Sequence, residues 1–393
     1  MRLHGNILLL AACQALLLTN GITLIAVTGL VGIQLAPVKS LATLPLTAYV
    51  IGSAATTMFA SLLMRRHGRR AGFVVGGLFG VLGSLVCALS VWLGHFWMLN
   101  AGTALLGVYN AFGQYYRFAA ADIAGPDMKS RAISWTLAGG IIGGVLGPET
   151  STLTRDLLQP RFAASYLVLG AFALLALLLV SRVNLPAVSG EERGASGRPL
   201  SQIARQPVFI TAVIGALVGY GVMNLLMSAT PIAMDLCRHP YGDTAFVLEW
   251  HVIAMFAPSF FTGALIARFG TLRVMAAGCA AMFACAAIAL SGVTLMQFWW
   301  ALVALGVGWN FLYIGSTTLL TECYTPAEKA KTQGLNDFMV FVTMALSSFA
   351  SGAMVSNNGW SALIVISLPF LIACASVLLW LARVRGRATA GTR

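Results

Sequence analysis

Apolar runs long enough to cross a lipid bilayer recur along the whole chain, and no other feature constrains the fold as strongly. At about 1.5 Å per residue, some eighteen or more such residues span a hydrocarbon core of roughly 30 Å. The runs fall at 7–33, 40–63, 71–93, 97–120, 130–153, 162–183, 207–231, 245–267, 272–293, 297–320, 334–355 and 360–382. Charged residues make up 9% of the chain, against roughly 25% in a soluble globular domain. A water-soluble fold is therefore excluded, and the expectation is an all-α integral membrane protein with twelve transmembrane helices in two six-helix bundles.

The formal net charge of +12 reports topology, not nucleic acid. Of the 24 lysines and arginines, all but Lys39, Arg155, Arg161 and Arg238 lie in the N-terminus, the even-numbered connections or the C-terminus. Positively charged loops stay cytoplasmic, so both termini are expected in the cytoplasm of a bacterium whose inner membrane the chain crosses. Leu10-Ala11-Ala12-Cys13 resembles a lipoprotein cleavage site, but the apolar stretch continues to about Ile33, too long for a signal-peptide core. Seven cysteines, an odd number without a Cys-x-x-Cys spacing, argue against a disulfide framework.

The longest polar interval, 184–206, is read as a linker between an N-terminal bundle at 1–183 and a C-terminal bundle with a short basic tail at 207–393. The halves match at a nearly constant offset. The stretch Ser61 to Arg70 after span two corresponds to Gly263 to Arg273 after span eight, and Pro126 corresponds to Pro326. Parallel repeats of this kind place a substrate site near the bilayer midplane.

These residues resemble the major facilitator superfamily. Its Gly-x-x-x-Asp-Arg-x-Gly-Arg-Arg motif is met by Arg66, Gly68, Arg69 and Arg70, with Ser61 at the first glycine and Arg65 at the acid. The second copy has Gly263, Arg268 and Gly270, with Ala267 at the acid. The resemblance implies a cytoplasmic gate involving Arg66, Gly68, Arg70, Arg268 and Gly270, while loss of the acid in both copies puts its charge relay in doubt. The arginines otherwise serve only to anchor topology. Gly139-Gly140, Gly143-Gly144 and Gly147-Pro148 resemble the Gly-Pro motif of the superfamily's drug exchangers, although small residues at that spacing also let helices approach closely.

An ionisable side chain in hydrocarbon costs at least roughly 2.5–3.5 kcal/mol, so each one is a functional candidate. Arg117 and Asp122 at the inner end of span four are candidates to close a gate with Glu322 or Asp337; interfacial anchoring is the competing explanation. His251 is followed four residues later by Met255, and Met223 by Met227, so each pair shares one helix face. Counted from the outer span ends, all four lie within ~6–15 Å of depth, in one layer. Thioethers and imidazole suit copper, above all Cu(I). With 15 methionines in the chain, roughly half a Met-x-x-x-Met pair arises by chance, and methionine as apolar core filler is the rival reading.

The paired motif, with Trp250-His251-Val252-Ile253-Ala254-Met255, Gly308-Trp309-Asn310-Phe311 and Gln333-Gly334-Leu335-Asn336-Asp337, resembles the CcoA-like copper importers of the CalT family. The resemblance implies Met223, Met227, His251 and Met255 as copper ligands, with copper as the transported substrate in support of cbb3-type cytochrome c oxidase assembly. Met234, Cys237 and His239 in the following outer loop are candidates for metal capture. The expected product is copper in the cytoplasm, handed to chaperones or thiols by a monomer in the lipid bilayer, with no catalytic chemistry and no ATP-binding loop. A transporter of an organic solute, riboflavin-like uptake or drug efflux, stays open, its cavity lined by Asn20, Asn110, Gln114, Tyr115, Tyr116, Trp309, Asn310 and Tyr313. So does a non-transporting copper sensor.

Overall fold

The computed structural model describes residues 2–38, 41, 44–186 and 197–390. Lys39, Arg393 and the linker stretch 187–196, with Glu191, Glu192 and Arg193, lie outside the described residues. The described residues form helices joined by short turns: α1 (Arg2–Leu35), α2 (Leu44–His67), α3 (Arg69–Leu93), α4 (Phe96–Gly113), α5 (Tyr116–Ile123), α6 (Lys129–Ala138), α7 (Gly140–Thr154), α8 (Ala163–Arg182), α9 (Leu200–Ala204), α10 (Pro207–Leu236), α11 (Tyr241–Phe256), α12 (Ser259–Phe269), α13 (Thr271–Ser291), α14 (Leu295–Leu320) and α15 (Lys329–Ala390).

Eight of the described helices are long and apolar enough to cross a membrane, and the bent pair α11 and α12 makes a ninth. Local chemistry explains the rest. Span four breaks between α4 and α5, span five breaks at Gly139 between α6 and α7, and α15 holds two spans divided at Gly359, whose φ is 78°. Pro258 begins the α12 turn of the broken pair, where its missing N–H interrupts the ladder. Large apolar side chains such as Leu8, Phe59, Leu178, Phe349 and Leu379 are exposed on the outside of the helices, which only a hydrocarbon surrounding satisfies. Trp250, Trp299 and Trp300 cluster with Phe246 at the ends of α11 and α14 far from the basic loops, as interfacial aromatics do.

The chain divides into two compact units. The first comprises Met1–Pro126, Trp135–Ala195 and Pro326–Phe341; the second comprises Asp127–Ser134, Ser196–Thr325 and Val342–Arg393. In the first, a core of Leu24, Val27, Val31, Leu99, Leu106 and Tyr166 joins α1, α3, α4 and α8. The glycine-rich stretch of span five is a packing surface. A Cβ on Gly139 would lie 2.1 Å from the Ala11 carbonyl oxygen, one on Gly143 2.6 Å from Leu18 Cβ, and one on Gly147 2.6 Å from Ile22 Cγ2, so all three let α1 lie against α7. Cys13 is fully buried in the middle of α1, its thiol 3.7 Å from the Ala176 carbonyl of α8.

Candidate functional site

At the basic end of the first unit, charged side chains from α3, α5 and the start of α15 meet. Arg69 Nε lies 3.1 Å from Asp122 Oδ2, and Lys329 Nζ lies 3.1 Å from the same oxygen. Arg69 Nη2 donates to Gln333 Oε1 at 2.7 Å, and its guanidinium sits over the Tyr115 ring. Deeper in, Arg117 Nη2 contacts Asp337 Oδ1 at 2.5 Å, with the two side chains only 2% and 3% exposed. Asn336 Nδ2 donates to that same oxygen at 2.8 Å. A buried pair of this kind holds only while both partners are in place, because either charge alone carries its desolvation cost uncompensated.

From Arg117 a chain of side-chain hydrogen bonds runs along α4. Arg117 Nη1 donates to Gln114 Oε1 at 3.1 Å, Gln114 Nε2 to Asn110 Oδ1 at 3.2 Å, and Asn110 Nδ2 to Ser53 Oγ at 3.2 Å. The spacing of 110, 114 and 117 puts all three on one helix face. Asn110 and Gln114 are half-buried, unlike the enclosed ion pair they lead to.

The repeat is visible in two equivalent contacts. In the first unit, Ser61 Oγ donates to the Ala330 carbonyl at 2.5 Å, and a Cβ on Gly334 would stand 3.1 Å from Ser61 Cβ. In the second unit, Gly263 occupies the position matching Ser61. A Cβ there would lie 2.6 Å from Arg131 Cα and 2.7 Å from the Ser130 carbonyl, while Ser134 Oγ accepts from the Gly263 N–H at 3.0 Å and donates to the Ser259 carbonyl. Each copy thus pairs one glycine with one serine, in reversed order. The glycine after each of these helices also recurs: Gly68 and Gly270 precede α3 and α13 with φ of 91° and 88°, a conformation that disfavours any side chain.

The second unit has a different character. One face of α14 carries Leu302, Gly306, Trp309, Tyr313 and Ser316, spaced to lie in a single stripe. At Gly306 a Cβ would stand 2.8 Å from the His251 carbonyl, which is why α11 lies so close. His251 Nδ1 is 2.7 Å from the Leu302 carbonyl, so Nδ1 carries the proton and Nε2 the lone pair; Nε2 is buried without a partner among the described residues. One turn further, Trp309 stacks on Tyr313 with centroids 5.1 Å apart, and Tyr220 of α10 meets both rings edge-on at 5.2 and 4.8 Å. Phe256 closes the group, 5.5 Å from Trp309.

Asn310 stitches the α11–α12 break to α14. Its Nδ2 donates to the Met255 carbonyl at 2.7 Å and to Ser259 Oγ at 2.6 Å, and its Oδ1 accepts from Thr262 Oγ1 at 2.7 Å. Asn310→Leu leaves these groups unpaired, at roughly 1–3 kcal/mol for each buried orphan. The expected result is a clear fall in Tm of the detergent-purified protein; an unchanged Tm contradicts this role for Asn310.

The structure gives the sequence-derived candidates distinct fates. Arg117, Asp122 and Asp337 belong to one charged network, whereas Glu322 pairs with Arg385 at 2.6 Å. Arg69, a motif residue not assigned to the gate, belongs to it too, as do Gln333 and Lys329; the adjacent basic residues after Gly68 are the available signal. Arg70 Nη2 donates to the Val183 carbonyl at 2.7 Å, Arg66 is exposed, and Arg268 lies over the Phe269 ring. Met223, His251 and Met255 are buried and Met227 half-buried. The helices bearing them, α10 and α11, each pack mainly on α14 and only slightly on one another. Met234 is fully buried, Cys237 is half-buried, and His239 Nε2 lies 2.8 Å from the Val293 carbonyl. Among the described residues, no group of three or more His, Cys, Asp or Glu is placed to hold a metal ion. Of the residues expected to line an organic-solute cavity, Asn20, Tyr115 and Asn310 are committed to buried structural hydrogen bonds. Tyr116 is packed beside Phe73, Asn110 and Gln114 lie on the polar chain, and Trp309 and Tyr313 form the aromatic group.

The family model of the Major Facilitator Superfamily matches residues 8–258 and 241–393. The chain belongs to the Major Facilitator Superfamily. It is 40% identical over 369 residues to the riboflavin transporter RfnT of Brucella anthropi, a match covering 93% of each chain. Solved superfamily structures agree in fold. The fucose:proton symporter FucP of E. coli matches with a TM-score of 0.76 over 98% of this chain and 99% of its own, at 17% identity. The proton:xylose symporter XylE matches at 0.79, covering 96% and 95%, at 12% identity.

Within this superfamily the copper assignment is corrected. A near full-length relative at 40% identity is a riboflavin transporter, which overturns copper as substrate, Cu(I) delivery to chaperones or thiols, and the link to cbb3-type oxidase assembly, and favours the organic-solute reading. The physical reason for the misreading is that a thioether is also an apolar, adaptable packing group. Methionines four apart on an apolar helix therefore look the same in sequence whether they hold a metal or fill space.

Proposed function

We propose that the chain carries a flavin-class organic solute, riboflavin or a close relative, inward across a bacterial inner membrane. The observation that carries this reading is the 40% identity to a riboflavin transporter over 93% of both chains. The excess of Lys and Arg in alternate connections supports cytoplasmic termini, and places the Arg117–Asp337 and Arg69–Asp122 pairs at the cytoplasmic end. Alternating access requires that end to close and open in turn. The buried Arg117–Asp337 pair, the Lys329–Asp122 contact and the two serine–glycine contacts are the groups that must part for release.

Expression in a bacterial strain unable to synthesise or import riboflavin tests the proposal. Growth on low external riboflavin and accumulation of radiolabelled riboflavin are expected, with copper accumulation unchanged. Membrane-inserted protein that gives neither growth nor riboflavin uptake overturns the reading.

A further inference from the structure

The aromatic group on α14 has the composition of a ligand site and a polar atom that calls for a ligand. Trp309 and Tyr313 are i, i+4 neighbours that stack on one another with ring planes 20° apart and centroids 5.1 Å apart, forming one rigid aromatic stack. Their side chains are 2% and 3% exposed, and Tyr220, half-buried, forms the accessible wall across them. Tyr220 meets both rings edge-on, at 87° and 89°. Trp309 Nε1, a donor with no acceptor capacity, is buried with no hydrogen-bond partner among the described residues. Buried indole N–H groups ordinarily find an acceptor, because leaving one bare in an apolar interior is unfavourable.

Two more buried polar atoms of the second unit have no partner among the described residues. His251 Nε2, an acceptor, sits where α11 meets Leu302, and Ser316 Oγ lies seven residues beyond Trp309. Positions 309 and 316 are one heptad apart, so the Trp309 and Ser316 groups are separated by ~10 Å along the helix. That interval approximates the long dimension of a three-ring heteroaromatic system. A core built only for stability pairs its polar atoms or replaces them with apolar ones; here the Trp309 N–H stays bare, among the described residues, inside an aromatic group.

Resting on the flavin-class reading above, we propose that Tyr220, Phe256, Trp309 and Tyr313 form the subsite for the substrate's planar heteroaromatic ring. The ring packs against the Trp309–Tyr313 stack with Tyr220 as its accessible aromatic wall, and the Trp309 indole N–H donates to a carbonyl or ring-nitrogen acceptor on the ring. The methionines fit the same picture. Met223 follows Tyr220 at i+3 and Met227 at i+7, which places these thioethers on the same face of α10 as the Tyr220 ring.

Ligand fluorescence tests the subsite in purified full-length protein in lipid nanodiscs. Riboflavin and lumichrome, the ring system without the ribityl chain, are titrated in turn, since stacking on tryptophan or tyrosine quenches their emission. Wild-type protein is expected to quench both. Trp309→Leu should weaken both by at least about tenfold, in line with stacking on a single aromatic. Trp309→Phe should keep the quenching but bind several-fold more weakly, because only the N–H is lost. Tyr220→Leu, at a half-buried position, serves if Trp309→Leu does not fold, and should reduce quenching of lumichrome as much as of riboflavin. Wild-type affinity in folded Trp309→Leu or Tyr220→Leu protein overturns the subsite and leaves the transport function standing. Wild-type protein that neither takes up riboflavin in cells nor quenches either compound overturns the function and the subsite together.

Discussion

Arg117→Leu is expected to reduce riboflavin uptake to background and to lower the Tm of the purified protein more than the Asn310 substitution. Arg117 is 2% exposed and bonded to Asp337 and Gln114. Removing it leaves the Asp337 carboxylate buried beside the neutral amide of Asn336, without its cationic partner. Breaking a buried pair from one side costs about 3–5 kcal/mol, whereas replacing both partners with apolar groups is often close to neutral. The double variant Arg117→Leu/Asp337→Leu should therefore regain most of the lost Tm while transport stays absent, because the gate no longer has charges to part and rejoin. A double variant as unstable as the single one contradicts the coupling. A single variant with full uptake contradicts any role in gating.

Gly263→Val is expected to abolish transport by a different route. A Cβ at this position already falls 2.6 Å from Arg131 Cα and 2.7 Å from the Ser130 carbonyl, and backbone atoms cannot rotate away. Overpacking of this kind costs about 1–3 kcal/mol, sometimes more, and a cost confined to the state in which α6 lies against α12 shifts the population roughly tenfold for each 1.4 kcal/mol. The contact should open while the rest of the second unit stays folded. The check is maleimide labelling of a cysteine introduced at Ser134, a buried position. Labelling should rise sharply in the Gly263→Val background while Tm changes little. Unchanged labelling with unchanged uptake shows that the contact is not part of the cycle.

Hydropathy alone made most of the fold legible. The spans, the positively charged connections and the repeat offset are additive, short-range properties of sequence, and they survive into the structure as helices and as matched glycines at 68 and 270. The breaks were less visible. Pro258 stands in plain view inside span eight, yet whether a proline bends or ends a helix depends on what collects the freed carbonyls, and here that is Asn310, more than 50 residues away. The charged network was half legible for a related reason. Arg65 occupies the motif's acid position, so the motif signalled a lost relay; the structure uses Asp122 from α5 as the carboxylate for Arg69 instead. Such pairings depend on which helices touch, which no local pattern encodes.

The substrate site was the least legible part. Met223, Met227, His251 and Met255 share helix faces in both readings, so spacing could not separate metal ligation from packing beside aromatic rings. Trp309 and Tyr313 were visible as i, i+4 aromatics. Tyr220 and Phe256, which complete the group, come from α10 and α11, and only the glycine-permitted approach at Gly306 and the stacking geometry bring their role out.

Counterflow in proteoliposomes reconstituted with the purified chain tests the central claim most directly. Vesicles loaded with unlabelled riboflavin should accumulate external radiolabelled riboflavin in a saturable, transient overshoot that Arg117→Leu eliminates. Vesicles containing correctly inserted protein that show no overshoot for riboflavin, lumiflavin or a related flavin would contradict the account.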